Sequence, residues 1–165
     1  MTSSSEHDLW LAHPTGKIAK GAFCSSCACF NSRNLATNAI VLEGSKLLLV
    51  QRAQEPDKGL WDIPGGYLDW DETLEECAAR ELKEETGLLV DPTDLTFFDI
   101  FSNPNNKAQN QVIDVYFFTK VFSGTLEIEA AEVVQAQWFD INNLPKNLAF
   151  DHLLVLQKLE KKLFK

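Results

Sequence analysis

The chain has 165 residues, of which 45% are apolar and 24% charged, and it carries a formal net charge of −9 at pH 7. This size suits one domain with a full core and is short for two, and the ordinary composition is typical of a globular protein. The acidic balance argues against general binding to nucleic acid or to an anionic membrane, because both need basic surfaces. No apolar run approaches the ~20 residues that a membrane-spanning helix needs.

The N-terminal segment, residues 1–36, is polar and irregular, and it holds three of the four cysteines. Its start lacks a basic leader and an apolar signal core, so we expect a cytoplasmic protein with reduced thiols. Cys24 and Cys27 have the spacing of one zinc knuckle, with Cys29 as a third candidate ligand. A four-ligand ribbon needs a second such pair, which is absent. We therefore predict a degenerate ribbon or plain thiols here rather than a zinc site.

A single domain is predicted from Thr37 to the end of the chain, residues 37–165. The runs TNAIVLEG and KLLLVQRA flank Gly44-Ser45 and predict a β-hairpin, and GLWDIPGG predicts a short strand that ends in a Pro-Gly-Gly turn. After a helix, three more strands are predicted in DLTFFDIFS, in VIDVYFFTKVF (ended by Gly124) and in VVQAQWFDI. The leucine-rich tail predicts an amphipathic helix. This order indicates an α/β or α+β sandwich with a mixed sheet.

The first predicted helix lies in the most acidic part of the chain, where residues 66–88 contain eight acidic and two basic residues. Thr73 and Glu76 fit a capping box, which places the start of the helix near Leu74. Gly87 suits a left-handed cap at its end. At ~100° per residue, the positions of Leu74, Cys77 and Ala78 share the face that packs on the sheet, and Glu81 and Glu85 project from that face.

A solvated surface would explain Glu75, Glu76 and Lys83, but not two carboxylates on the packing side of a helix. Like charges at i,i+4 repel each other, and burial raises the cost. Mg²⁺ or Mn²⁺ would resolve the conflict, because hard cations prefer oxygen ligands and carboxylates at i, i+3 and i+4 converge. The spacing therefore predicts a metal site at Glu81, Glu84 and Glu85, with a carbonyl of the Gly65-Gly66 turn available to the ion.

The same residues resemble a known family. The chain matches G-x5-E-x7-R-E-U-x-E-E-x-G-U, the Nudix box in which U is a bulky aliphatic residue, at every specified position: Gly66, Glu72, Arg80, Glu81, Leu82, Glu84, Glu85, Gly87 and Leu88. The preceding LLLVQRAQEPDKGLWDIPGG is similar to the segment that leads into this box. The resemblance covers roughly residues 37–165. It implies an α/β/α sandwich and the metal-dependent hydrolysis of nucleoside diphosphates linked to another moiety.

The resemblance also implies roles for individual residues. Glu81, Glu84 and Glu85 would be metal ligands, with the Gly66 carbonyl as a further one. Arg80 and Glu72 would brace the loop and the helix. The general base would be Glu81 or a loop carboxylate, of which Glu132 is the first candidate and Glu127 and Glu129 are weaker ones. Some family members carry an N-terminal zinc ribbon. The cysteine cluster resembles such a ribbon only in the spacing of Cys24 and Cys27.

The residues that determine the choice of substrate are expected outside the Nudix box. Pro104, sixteen residues beyond Leu88, and the ending LPKNLAFDH resemble the ADP-ribose pyrophosphatase branch. We therefore expect hydrolysis of ADP-ribose to AMP and ribose 5-phosphate, with NADH, dinucleoside polyphosphates and nucleotide sugars as alternative substrates. A non-catalytic ligand sensor is the alternative function. Trp61, Tyr67 and Phe101 would either stack on a base or fill the core. The expected partners are a small-molecule nucleotide and a second copy of the chain, with no nucleic acid and no membrane.

Overall fold

The computed structural model describes Phe23–Cys24 and Cys29–Phe30, and then residues 34–103, 112–128 and 131–163. The chain divides into two compact units, Met1–Arg33 and Asn34–Lys165. In the first unit, strand β1 (Phe23–Cys24) pairs antiparallel with strand β2 (Cys29–Phe30). Cys27 lies outside the described residues, and only the backbone of Cys24 and Cys29 is described, so the zinc prediction for these three cysteines stays a prediction.

The described residues of the second unit form seven further strands and two α-helices. The strands are β3 (Leu35–Glu43), β4 (Lys46–Arg52), β5 (Trp61–Asp62), β6 (Gly65–Tyr67), β7 (Thr96–Phe101), β8 (Ile113–Thr119) and β9 (Val133–Asp140). The helices are α1 (Leu74–Thr86) and α2 (His152–Leu163), and a short 3₁₀ helix spans Pro92–Asp94. Strand β3 thus begins two residues before Thr37.

The sheet is mixed, as predicted. Strands β3 and β4 form the expected antiparallel hairpin, in which Gly44 takes a left-handed φ of 60°. Strand β3 also pairs in parallel with β8 and antiparallel with β6, and β8 continues to β7. Strand β4 pairs antiparallel with β5 and β9. The two helices and this sheet form the expected α/β/α sandwich.

The core lies on both faces of β3, because its successive side chains alternate between the two faces of the sheet. One face carries Ala39 and Val41, which pack with Leu82 of α1. The opposite face carries Ile40 and Leu42, and the α2 residues Val155, Leu156 and Leu159 belong to that cluster. Burial on both faces explains why β3 reads as a continuous apolar run rather than as an alternating one.

Helix α1 begins and ends where the sequence predicts. The Thr73 side chain accepts a hydrogen bond from the Glu76 N–H, and the Glu76 side chain accepts one from the Thr73 N–H, which completes the capping box. Gly87 takes the left-handed conformation, with φ 73°, and its N–H donates to the Lys83 carbonyl. Cys77, Ala78 and Glu81 lie on the buried side, so the predicted packing face is confirmed.

Two sequence predictions about strands were wrong. Gly65 and Gly66 do not form a free turn after β5, because they pair with Asn38 and Thr37 of β3 and so start strand β6. The second strand of the C-terminal half ends at Thr119 rather than at Gly124. Among the described residues, no helix is long and apolar enough to cross a membrane.

Candidate active site

Strand β6 and helix α1 come into direct contact at Gly66. A Cβ atom at this position would lie 2.3 Å from Oε1 of Glu81, which is far inside van der Waals contact. Only glycine therefore lets the strand pass so close to the carboxylate. Glu81 itself is only 9% exposed. Burial raises the pKa of its carboxyl, and the neighbouring guanidinium of Arg80 opposes that rise.

Glu85 lies one turn further along α1 and is also largely withdrawn from water. The Gly65 N–H donates a hydrogen bond to its Oε2 at 3.1 Å, which ties the carboxylate to β6. Burial, followed by the negative charge of Asp62, raises the pKa of Glu85 well above its ordinary value. Two desolvated carboxylates, Glu81 and Glu85, thus stand on the packing side of one helix, where they gain by binding a cation.

Arg80 is the cation that contacts Glu72, Glu81 and Glu84. Its Nε and Nη2 donate to the two carboxylate oxygens of Glu72 at 2.9 and 2.7 Å, a bidentate pair. Its Nη1 donates to Glu81 at 2.7 Å and to Glu84 at 3.0 Å, and Nη2 also reaches the Tyr67 carbonyl at 3.2 Å. The predicted neighbours Arg80 and Glu72 are therefore in contact across the loop that joins β6 to α1. The pair holds the pKa of Glu72 at about 2.

A cavity of about 370 Å³ opens in front of these residues. Its wall includes Gly66, Arg80, Glu81, Glu85 and Glu132. Glu132 is exposed and precedes β9, and its negative charge contributes to the raised pKa values of Glu81 and Glu85. The sequence-predicted site residues thus surround one cavity, with the exception of Glu72 and Glu84, which reach it only through Arg80. Glu127 lies elsewhere, against Gly87, and Glu129 lies outside the described residues.

The donor set of this cavity is made of carboxylate and carbonyl oxygens, which fits a hard divalent cation better than a soft one. In the present arrangement, no three acidic, histidine or cysteine side chains of the described residues are placed to hold a metal ion together. Arg80 instead forms ion pairs with Glu81 and Glu84. The residues present fit Mg²⁺ or Mn²⁺ in their chemistry, and an ion would compete with Arg80 for these two carboxylates.

A second cavity of about 380 Å³ adjoins the first. The two share the residues Arg52, Glu55, Gly65, Gly66 and Tyr67 in their walls. Beyond this shared wall, the second cavity extends along the α2 face of the sheet, where Asn38, Phe101, Asp114, Tyr116, Phe150 and His152 line it.

A buried ion-pair network closes one side of the second cavity. Arg52 Nη1 donates to Oδ2 of Asp62 at 2.8 Å, and Oδ1 of Asp62 lies 2.7 Å from Nδ1 of His152. Burial alone would raise the pKa of Asp62, but the charges and hydrogen bonds of His152 and Arg52 hold it below its ordinary value. The Arg52 guanidinium also lies 4.8 Å from the centre of the Phe150 ring. This network fixes the start of α2 against β5.

Of the three aromatic residues considered from the sequence, two line the second cavity and one does not. Tyr67 is 56% exposed and borders both cavities, and Phe101 lines the second. Trp61 is buried and packs edge-on against Phe139 with 4.6 Å between ring centres, so it belongs to the core.

Sequence reasoning missed the polar lining of the second cavity, namely Asn38, Arg52, Asp62, Asp114 and His152. A signal for it was present, because Asn38 and Asp114 interrupt apolar runs at positions that face the core side of their strands. A polar residue at such a position needs a partner, either within the protein or in a ligand.

The family of this chain follows from comparison with known proteins. A model of the NUDIX domain matches residues 32–159, which is most of the chain. An ADP-ribose pyrophosphatase of Methanocaldococcus jannaschii is 37% identical over 123 residues, which cover 74% of this chain and 70% of that protein. The NAD-capped RNA hydrolase NudC of Vibrio atlanticus is 35% identical over 105 residues, 64% of this chain, but the match spans only 36% of that longer protein.

The solved structures of similar fold include the following two, each with 26% sequence identity to this chain. The NUDIX domain of Shewanella oneidensis NrtR, solved in complex with ADP ribose, superposes with a TM-score of 0.69 at 26% identity, over 97% of this chain and 99% of that one. A bifunctional NMN adenylyltransferase/ADP ribose pyrophosphatase of Francisella tularensis, solved with AMP and a manganese ion, gives a TM-score of 0.68 at 26% identity. That match covers 79% of this chain and 42% of the other.

Proposed function

Since the chain belongs to the NUDIX family and is a Nudix pyrophosphohydrolase, we propose that its substrate is ADP-ribose, which it hydrolyses with Mg²⁺ or Mn²⁺ to AMP and ribose 5-phosphate. The observation that carries this proposal is the pair of desolvated carboxylates, Glu81 and Glu85, in the wall of the first cavity. Similarity to the ADP-ribose pyrophosphatase of M. jannaschii supports the choice of substrate. The manganese-bound neighbour from F. tularensis supports the choice of metal.

In this proposal Glu81, Glu84 and Glu85 hold the ion, with the Gly66 carbonyl as a further ligand. When bound, the ion supplies the positive charge that screens the pyrophosphate from the acidic wall, and it lowers the pKa of a bound water. The Gly65 N–H keeps Glu85 oriented toward the first cavity. Glu81 and Glu132 are the two candidates for the base that takes a proton from the attacking water.

Arg80 and Glu72 have a positioning role in this proposal. Their bidentate pair spans the loop between β6 and α1, and it holds the guanidinium beside Glu81 and Glu84. Arg80 would keep its bonds to Glu72 when Glu81 and Glu84 hold the ion. The pair would therefore keep the loop fixed in both states.

The hydrolysis consumes one water and cleaves one phosphoanhydride bond, so that each product carries one phosphate. A small nucleotide suits a site of two adjoining cavities of 370 and 380 Å³, which is the ordinary size range of ligand sites. NADH and NAD-capped RNA are the second candidates, because the NudC relative shares 35% of the aligned residues. The expected cytoplasmic location and homodimer remain predictions.

A substrate panel tests the proposal. We expect the purified protein with Mg²⁺ to release AMP fastest from ADP-ribose, and more slowly from NADH, nucleotide sugars, dinucleoside polyphosphates and a NAD-capped oligonucleotide. EDTA should abolish the release. Glu85→Gln should lower kcat at least a hundredfold, because it removes a ligand charge that no neighbour replaces, whereas the matched helix variant Glu75→Gln should keep the wild-type rate. Faster cleavage of any other substrate, or equal rates for the two variants, would contradict the proposal.

A further inference from the structure

The Glu132 carboxylate reaches the first cavity from a loop, whereas Glu81 and Glu85 reach it from a helix. Glu132 directly precedes β9, and its side chain is exposed. Within the described part of the chain, no hydrogen bond or ion pair holds that carboxylate in place. The direction of its Cα–Cβ bond therefore decides which part of the space around the loop the carboxylate can reach.

Two hydrogen bonds fix that direction, because they hold the peptide planes on both sides of the Glu132 Cα atom. The Ala53 N–H donates to the Glu132 carbonyl at 2.8 Å, and Gln54 Nε2 donates to the Ala131 carbonyl at 3.0 Å. The Ala131 carbonyl belongs to the plane before the Cα atom, and the Glu132 carbonyl belongs to the plane after it. Since each peptide unit is planar, the two planes together set φ and ψ of Glu132, and hence the direction of its side chain.

The two hydrogen bonds come from neighbouring residues after the end of β4, but they differ in kind. The bond from Ala53 follows the last pair of β4 with β9, which joins Arg52 to Val133, and any residue except proline could make it. The bond from Gln54 needs a side-chain donor of this length. Gln54 also lines the first cavity together with Glu132. Its amide thus holds the loop at the site itself rather than on a remote surface.

We propose that Gln54 is a positioning residue for the reaction, which directs the Glu132 carboxylate into the first cavity by holding the peptide plane between Ala131 and Glu132. This inference rests on the proposed function, in which Glu132 is one of the two candidate bases. Gln54 acts only through Glu132 in this account. The alternative is that Gln54 merely ties two surface segments together. An exposed hydrogen bond adds little to stability, because water competes for both of its partners, so activity and stability separate the two roles.

Steady-state kinetics with Mg²⁺ test this role, on the compound of the substrate panel that the wild type cleaves fastest. Gln54→Met keeps the length of the side chain and removes its donors. It should lower kcat about threefold to tenfold and leave KM within about twofold, because one ordinary hydrogen bond is worth such a factor. Glu132→Gln should lower kcat about a hundredfold or more, as the loss of a general base does. Adding Gln54→Met to Glu132→Gln should cause no further loss, because no carboxylate remains to be directed.

Gln135→Met is the matched control. Gln135 is also exposed, and its Nε2 donates one hydrogen bond, at 3.0 Å, to Oε1 of Gln51. It is not among the residues that line the two cavities. This variant loses a bond of the same kind without freeing the peptide planes around Glu132, so it should keep the wild-type kcat. Both methionine variants should keep the wild-type melting temperature.

Several results would overturn the inference. They are a wild-type kcat in Gln54→Met or in Glu132→Gln, an equal loss in Gln135→Met, a rise in KM at unchanged kcat, and a further loss in the double variant. A wild type that leaves ADP-ribose intact but cleaves another compound contradicts the proposed substrate, and the same variants then test Gln54 on that compound. A protein that cleaves no compound of the panel overturns both proposals.

Discussion

At the scale of single residues, Arg80 connects most of the candidate site. It contacts Glu72, Glu81 and Glu84, and it also reaches the Tyr67 carbonyl. These contacts explain why so acidic a helix is tolerated, because one guanidinium offsets part of the repulsion between the carboxylates. The pair with Glu72 is bidentate, and this geometry adds specificity as well as interaction energy.

The pair with Arg80 makes Glu72 a source of pH-dependent stability. The pKa of Glu72 is about 2 in the folded protein, and its ordinary value is 4.5. The contribution of Glu72 to the free energy of unfolding is therefore complete above pH 4.5 and is lost as the pH falls toward 2. Glu72→Gln should therefore lower the free energy of unfolding at pH 6, and the deficit should shrink as the pH falls from 4.5 toward 2. Urea unfolding in EDTA at a series of pH values measures this. A deficit that does not change with pH, or the same deficit in the exposed control Glu160→Gln, would argue against it.

Residue-level prediction from the sequence worked where spacing alone fixes geometry. Glu81 and Glu85 lie on the packing face because α-helical periodicity places them there. Thr73 caps the start of the helix because its side chain accepts the Glu76 N–H, and Gly87 ends it because glycine readily takes the left-handed conformation. Asn38 and Asp114 could not be placed in the same way. Their proximity depends on the parallel pairing of β3 with β8, which joins residues far apart in sequence.

At the scale of elements, strand β6 positions the site. Its two glycines approach different neighbours. A Cβ at Gly65 would lie 2.2 Å from the Thr37 carbonyl oxygen, which is backbone, whereas a Cβ at Gly66 would meet the end of the Glu81 side chain. The sequence suggested a turn at these glycines because glycine pairs usually mark turns. Tertiary pairing with β3 overrides that preference.

The two glycines therefore give a matched pair of variants. Gly66→Ala should displace the Glu81 carboxylate, which can move, so activity should fall at least tenfold while the melting temperature changes little. Gly65→Ala should force backbone strands apart and lower the free energy of unfolding by about 1–3 kcal/mol. Thermal unfolding and initial rates on each variant decide the matter. A Gly66→Ala protein with wild-type rate would show that the close approach to Glu81 has no catalytic importance.

At the scale of the whole molecule, the two faces of β3 border different parts of the fold. The face toward α1 packs against the helix that carries Glu81 and Glu85, and the face toward α2 lines the second cavity. The sequence predicted the sandwich and several of the residues that line the first cavity, because both follow from local patterns and a contiguous motif. It did not predict the second cavity, because its lining comes from β3, β8, Arg52 and the start of α2, which meet only in the folded chain.

The protein has a net charge of −9, which repels a negatively charged pyrophosphate. A bound cation would therefore be needed to reduce this repulsion. We propose that Glu81, Glu84 and Glu85 meet this need by holding a divalent ion. Titration of the protein with Mn²⁺, followed by the electron paramagnetic resonance of the free ion, tests it directly. We predict binding by the wild type and by Glu75→Gln with equal affinity, and at least tenfold weaker binding by Glu85→Gln. Equal affinity in all three proteins, or no binding by the wild type, would contradict the claim.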